Sequence, residues 1–168
     1  MRYGVLFLFL SFSFGGGGLC AQENILDART NFALGQTVTV DGIIISDDNL
    51  GFIRYMQDET AGIAVYPGGD WSAFEFTPQP GDVVSITGTL TEYNGLLEIV
   101  DLSLVTILGT APLPAPLDIT PSQLIEDIEG QLVRIQDVSF GVEGGAFVSN
   151  QTVEFEAFGE TGVLYISP

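Results

Sequence analysis

The chain has 168 residues, enough for one ordinary domain and a small second unit, and its 46% hydrophobic fraction, cut into short apolar runs by Gly and Pro, excludes a disordered acidic tail. A formal net charge of −18, carried against only four basic residues, all arginine, makes the exterior repel polyanions. With no histidine, no lysine and a single cysteine, Ser-His-Asp hydrolysis, His-ligated zinc, a P-loop, a Schiff-base lysine and thiol redox chemistry are excluded within this chain.

In chain order, residues 1–21 read as a signal peptide. Arg2 gives a positive start, Val5 to Phe14 forms an apolar stretch of h-region length, and Gly15 to Gly18 breaks it before Leu19-Cys20-Ala21. The expectation is a secreted or periplasmic product with no membrane insertion of the mature chain. Lipidation of Cys20 is the alternative, ranked lower because the residue before a lipidated cysteine is normally small and here is Leu19.

Residues 22–36 form a lead-in with one apolar patch, Ile25-Leu26. Thr37 to Ser46 alternates before an apolar run and predicts a first strand, with Gly42 a bend or bulge. Asp47 to Gly51 is a turn, Phe52 to Gln57 a second strand, and Ile63 to Tyr66 a third. Pro67 to Gly81 is too long and too rich in Gly and Pro for a hairpin, and its Trp71, Phe74 and Phe76 point to a plug at one end of a sheet. Asp82 to Glu92 alternates, with Gly88 interrupting, and Asn94-Gly95 turns the chain into Leu96 to Val105. Five strands, the first and fourth long and glycine-bent, with a plug after the third, predict an OB-fold-like barrel in an all-β chain over residues 22–108.

Prolines 112, 114 and 116 mark residues 109–118 as an extended linker. Residues 119–168 then predict a short helix, capped by Thr120 with Pro121 at its first position and ended by Gly130, a strand over Leu132 to Phe140, and a partial second β unit. That unit is still developing at Pro168, which reads as a fragment of a longer protein.

Three segments carry a family resemblance: Gln36 to Gly42; Ile53 to Asp58 with Ala61 to Tyr66; and Pro80-Gly81-Asp82 with Thr87 to Leu90 and Tyr93 to Ile99. Together they resemble the OB-fold accessory modules found beside catalytic domains in bacterial extracellular nucleases and in Bacteroidetes-type secreted multidomain proteins. The resemblance covers residues 24–110 and continues more weakly through Glu129 to Ile135. It implies a noncatalytic binding module with single-stranded nucleic acid, or another extended polymer, as ligand. Only Arg29, Arg54 and Arg134 of the mature chain are available to meet phosphate.

In such a barrel the second and third strands form the usual ligand face. The candidate binding residues are therefore Arg54 and Tyr55 on the second strand, Tyr66 at the end of the third, Trp71 in the plug and Tyr93 at the hairpin. Which phase of 52–57 faces outward is left open, because both contain apolar groups. Acid pairs such as Asp58/Glu59 and Glu92/Glu98 could in principle run glycoside hydrolysis, but neighbouring strand residues point to opposite faces, so no catalytic residue is assigned. No cofactor is expected. Calcium is a minor alternative at Asp47, Asp48 and Asn49, or at Asp58-Glu59-Thr60, neither of which shows a full spaced ligand set. The rival reading of the whole chain is a structural or protein-interaction spacer for a missing downstream domain.

Overall fold

The computed structural model describes residues 22–141 and 146–166. The segment read as a signal peptide, Cys20 included, lies outside the described residues.

Strands β1 (Thr37–Ile44), β2 (Arg54–Gln57), β3 (Gly62–Val65), β4 (Asp82–Tyr93) and β5 (Leu96–Thr110) close into a barrel in the order β1-β2-β3-β5-β4, with β3 and β5 parallel and the remaining pairs antiparallel. This is an OB-fold-like barrel. Its interior is written in the period-two pattern. Val38, Val40 and Ile44 of β1, Met56 of β2, Ile63 and Val65 of β3, Val84, Ile86 and Leu90 of β4 and Ile99 of β5 are all buried in one cluster.

Gly42 causes no shift of the β1–β4 register. It is small because a Cβ there would lie 2.8 Å from the Met56 methyl group and 3.0 Å from the Gln57 carbonyl. Gly88 does sit at a register irregularity, between Thr87 and Thr89, where a Cβ would meet Ile99 and the Val100 carbonyl at 2.6 Å.

The lead-in forms a helix, α1 (Ile25–Asn31), that covers one end of the barrel with Ile25 and Ala28. Asn24 caps it by accepting from the Asp27 amide at 2.7 Å. Asp58 ties it to the β2–β3 turn: one oxygen accepts from the Ile25 amide at 2.8 Å, and the other accepts from the Thr60 and Ala61 amides and the Thr60 hydroxyl. The plug between β3 and β4 is a 3-10 turn at Trp71–Ala73 that buries Trp71.

Three differences from the sequence reading have clear causes. Strand β5 runs to Thr110 rather than Val105, because the start of β4 needs a partner and Asp82 pairs with Thr110, two residues short of the first proline. After Thr120 the chain makes two 3-10 turns, Pro121–Gln123 and Glu126–Ile128, instead of one helix, since Ile125 between them is extended. These turns lie between β6 (Leu117–Asp118) and β7 (Val133–Arg134), which pair in parallel, and β8 (Ser139–Phe140), β9 (Gln151–Ala157) and β10 (Glu160–Ile166) form a three-stranded sheet in the order β10-β9-β8. Asp137, at φ 53, separates β7 from β8, where the sequence pattern predicted one strand.

Candidate functional site: an aromatic cleft between two barrel loops

The register of β2 settles its phase. Arg54 and Met56 are buried, and Tyr55 and Gln57 point outward, half-buried. Arg54 is therefore not on the ligand face. It is 1% exposed and donates to the carbonyls of Pro78 (3.1 Å), Gly51 (2.9 Å) and Ile53 (3.0 Å), with its guanidinium over the Trp71 ring. Trp71 is likewise interior, 3% exposed, its indole N–H donating to the Phe52 carbonyl at 2.8 Å. These two side chains join the plug to the loop before β2. A cation on a short strand followed by an aromatic plug reads the same in sequence whether it faces ligand or fold.

The structure brings Tyr66 and Tyr93 together. Across strands the outer face carries the row Tyr55, Ala64 and Glu98, since Tyr55 pairs with Ala64 and Ala64 with Glu98. Tyr66 follows directly, its amide donating to the Ile99 carbonyl at 2.9 Å. Tyr93 and Leu96 flank the Asn94-Gly95 turn, where both turn residues have positive φ (53 and 90), as a tight hairpin of this hand requires. With Leu50, Phe52 and Ile53 from the β1–β2 loop, these residues line a cleft of about 530 Å³ whose floor includes Glu98. Tyr93 is 66% and Phe52 53% exposed. A second hollow of about 440 Å³, lined by Tyr55, Ser46 and Glu129 among others, shares Leu50 and Leu96 with the first. The two form one groove across the outer face, walled by the β1–β2 loop and the β4–β5 hairpin.

Its electrostatics are acidic. Burial raises the Glu98 carboxyl above its ordinary value. Burial also raises Glu129, helped by the Glu126 charge and opposed by the Leu97 amide and Arg29. The Tyr55 phenol is pushed up by burial and then by the charges of Glu129 and Glu98. No described cation faces the groove. Arg29 is paired with Glu126 at 3.0 Å and Glu129 at 3.5 Å, and Arg134 is bound through two nitrogens to Asp118 at 2.6 and 2.7 Å.

The Asp47 oxygens both accept from Asn49, its amide at 3.0 Å and its side chain at 2.6 Å, capping the 3-10 turn Asp48–Leu50. Among the described residues no group of three or more acids converges as a metal cluster. No described helix is long and apolar enough to cross a membrane. Sequence reasoning missed Phe52, Leu96 and Glu98 as groove residues. The available signal was the Asn-Gly turn, whose flanking residues must project beside the β3 end of a five-stranded barrel.

No protein-family model matches the chain. It is similar to Endonuclease YhcR of Bacillus subtilis, 28% identical over 165 residues that cover 86% of this chain and 13% of that protein. The chain thus spans about one eighth of the length of the curated relative it matches. Among solved structures it is similar to the hypothetical protein ygiW of E. coli, with 20% identity, a TM-score of 0.43, and coverage of 59% of this chain and 100% of the other. It is also similar to a chain of the S. pombe Stn1-Ten1 complex, with 15% identity, a TM-score of 0.40, and coverage of 55% and 80% respectively.

Proposed function

We propose that the chain is a noncatalytic OB-fold module of an exported bacterial protein, and that the groove between the β1–β2 loop and the β4–β5 hairpin binds single-stranded nucleic acid by stacking. The observation that carries this is that Tyr93 and Phe52, both largely exposed, line one cleft together with Tyr66. Large aromatic faces left open on a barrel rim stabilise nothing in the fold and offer flat surfaces to bases. Similarity to a segment of an endonuclease supports the ligand class. The missing His and Lys support the noncatalytic assignment, and residues 1–21 support export.

With no cation in the groove among the described residues, binding by this module differs from phosphate-driven binding in its response to salt. The release of counterions that normally makes affinity fall steeply with salt is absent, and screening of the protein's own charge offsets repulsion. The test is fluorescence anisotropy of a labelled thymidine octamer against the full chain. The expected result is saturable binding, weakened about tenfold or more by Tyr93→Ala, with affinity flat or rising with added salt. No binding at any salt concentration removes the proposal.

One observation favours the rival reading of a structural or protein-interaction spacer: the described arginines are all committed, and Glu98 and Glu129 line the groove. A protein partner with exposed Lys or Arg would fit that surface. Failure of every oligonucleotide together with capture of a basic domain from the same protein would select it.

A further inference from the structure

Among the described residues Arg54 and Glu98 are buried charged residues, and the Arg29 side chain, paired with Glu126 and Glu129, is also little exposed. Arg54 is satisfied by three carbonyls. Glu98 is 7% exposed as a residue, no hydrogen bond or ion pair to its carboxylate is formed among the described residues, and its oxygens keep access to solvent at the cleft. It lies on the outer face of β5, opposite in phase to Ile99, which enters the core. A carboxylate that is partly desolvated and free of protein partners is open to accept hydrogen bonds from a bound group. At this position it forms part of the lining of the cleft, beside Tyr66 and Tyr93. The group that completes it is a ligand bringing N–H or O–H donors.

A carboxylate is a fork of two acceptors and is best satisfied by two adjacent, parallel donors. Bases in a single strand expose their pairing edges. On that edge guanine presents N1–H and the 2-amino group side by side. Cytosine and adenine present one amino group beside an acceptor nitrogen, and thymine one N–H between two carbonyl oxygens that a carboxylate repels. We infer that the cleft selects guanine, its ring stacked on the exposed aromatic side chains and its N1–H and 2-amino group donating to the two Glu98 oxygens. This rests on the reading of the groove as a single-strand site. The phosphates of such a strand stay at the rim, away from Glu98 and Glu129.

The test compares four labelled octamers on the full chain at about pH 8, on the alkaline side of the carboxylate range: all-thymidine, and thymidine with one central guanine, inosine or adenine. The guanine octamer should bind tightest, and inosine, which lacks the 2-amino group, about tenfold more weakly. Glu98→Gln should reduce the guanine preference over inosine and adenine to about twofold or less. A melting temperature at least equal to that of the unsubstituted chain shows that the variant is folded. Equal affinity for all four octamers overturns guanine selection and leaves the single-strand module standing. Guanine preference retained by Glu98→Gln overturns the role of Glu98. Binding of no octamer overturns both readings, and binding instead to a neutral glucan, lost on Glu98→Gln, reassigns the carboxylate to sugar hydroxyls.

Discussion

Arg54 shows how a residue type can mislead when its neighbours in space are unknown. It is the one arginine on the second strand, where the resemblance places ligand contacts, yet it stands among the core side chains with its donors on three main-chain carbonyls. Those carbonyls belong to the loop before β2 and to the end of the plug, two irregular segments that need partners for their own polar groups. Removal by Arg54→Ala leaves carbonyls unpaired and a void beside Trp71. The expected cost is about 3 kcal/mol or more, read as a lower urea midpoint with unchanged slope. A change within about 0.5 kcal/mol would show the guanidinium to be a passenger. Asp58 is the acidic counterpart. It reads as a solvated turn residue or a metal ligand, and in the fold it accepts four hydrogen bonds that join α1 to the β2–β3 turn.

The segment after the linker is held to the barrel by a backbone contact rather than by side-chain burial. Gly62 of β3 faces Gly130, and a Cβ on Gly62 would lie 2.2 Å from the Gly130 carbonyl group and 2.6 Å from the Gln131 nitrogen. Polar contacts surround this point. The Leu132 amide donates to the Gln57 side chain at 2.9 Å, the Leu97 amide to Glu129 at 3.3 Å, and Arg29 to the Gly62 carbonyl at 3.0 Å. Gly62→Ala should therefore cost about 1–3 kcal/mol through overpacking against main chain that has nowhere to move. It should also release the segment, seen as faster hydrogen exchange at the Leu132 amide while the Ile86 and Val65 amides stay protected. Uniform loss of protection across the barrel would contradict a local docking role. Because Glu129 lines the groove from this segment, the substitution links the second segment to the acidity of the groove.

At the scale of the whole molecule, acidity and burial set the response to pH. Glu98 and Glu129 have raised pKa values in the folded protein, so between their folded and ordinary unfolded values the native state binds more protons. Stability accordingly rises as pH falls through their folded pKa and levels off near about pH 4.3, the ordinary glutamate value. Repulsion within a chain of net charge −18 acts in the same direction. Asp70, Asp118 and Glu160 work oppositely, their carboxyls lowered by hydrogen bonds from Ser72, Arg134 and the Ser122 amide respectively, so stability is lost on further acidification. The melting temperature should peak in mild acid and be a few degrees higher at about pH 5 than at about pH 8. Glu98→Gln should flatten the alkaline side of that curve. A melting temperature constant or falling from pH 8 to pH 5 would contradict the placement of these carboxyls.

Amino-acid order alone determined the five strands, because apolar residues recurring at every second position can be buried only on one face of a pleated chain, and it placed the hairpin, because Asn94-Gly95 tolerates the positive φ that a two-residue turn demands. It also determined what the chain lacks, since no fold can supply an absent histidine or lysine. Only the tertiary structure decided which phase of β2 faces outward, because both phases carry apolar side chains and the choice follows from the register with β1 and β3. Only closure of the barrel brought Glu98 beside Tyr66 and beneath the hairpin. The parallel pairing of β3 with β5 joins residues more than thirty positions apart, and nothing local to either strand encodes it.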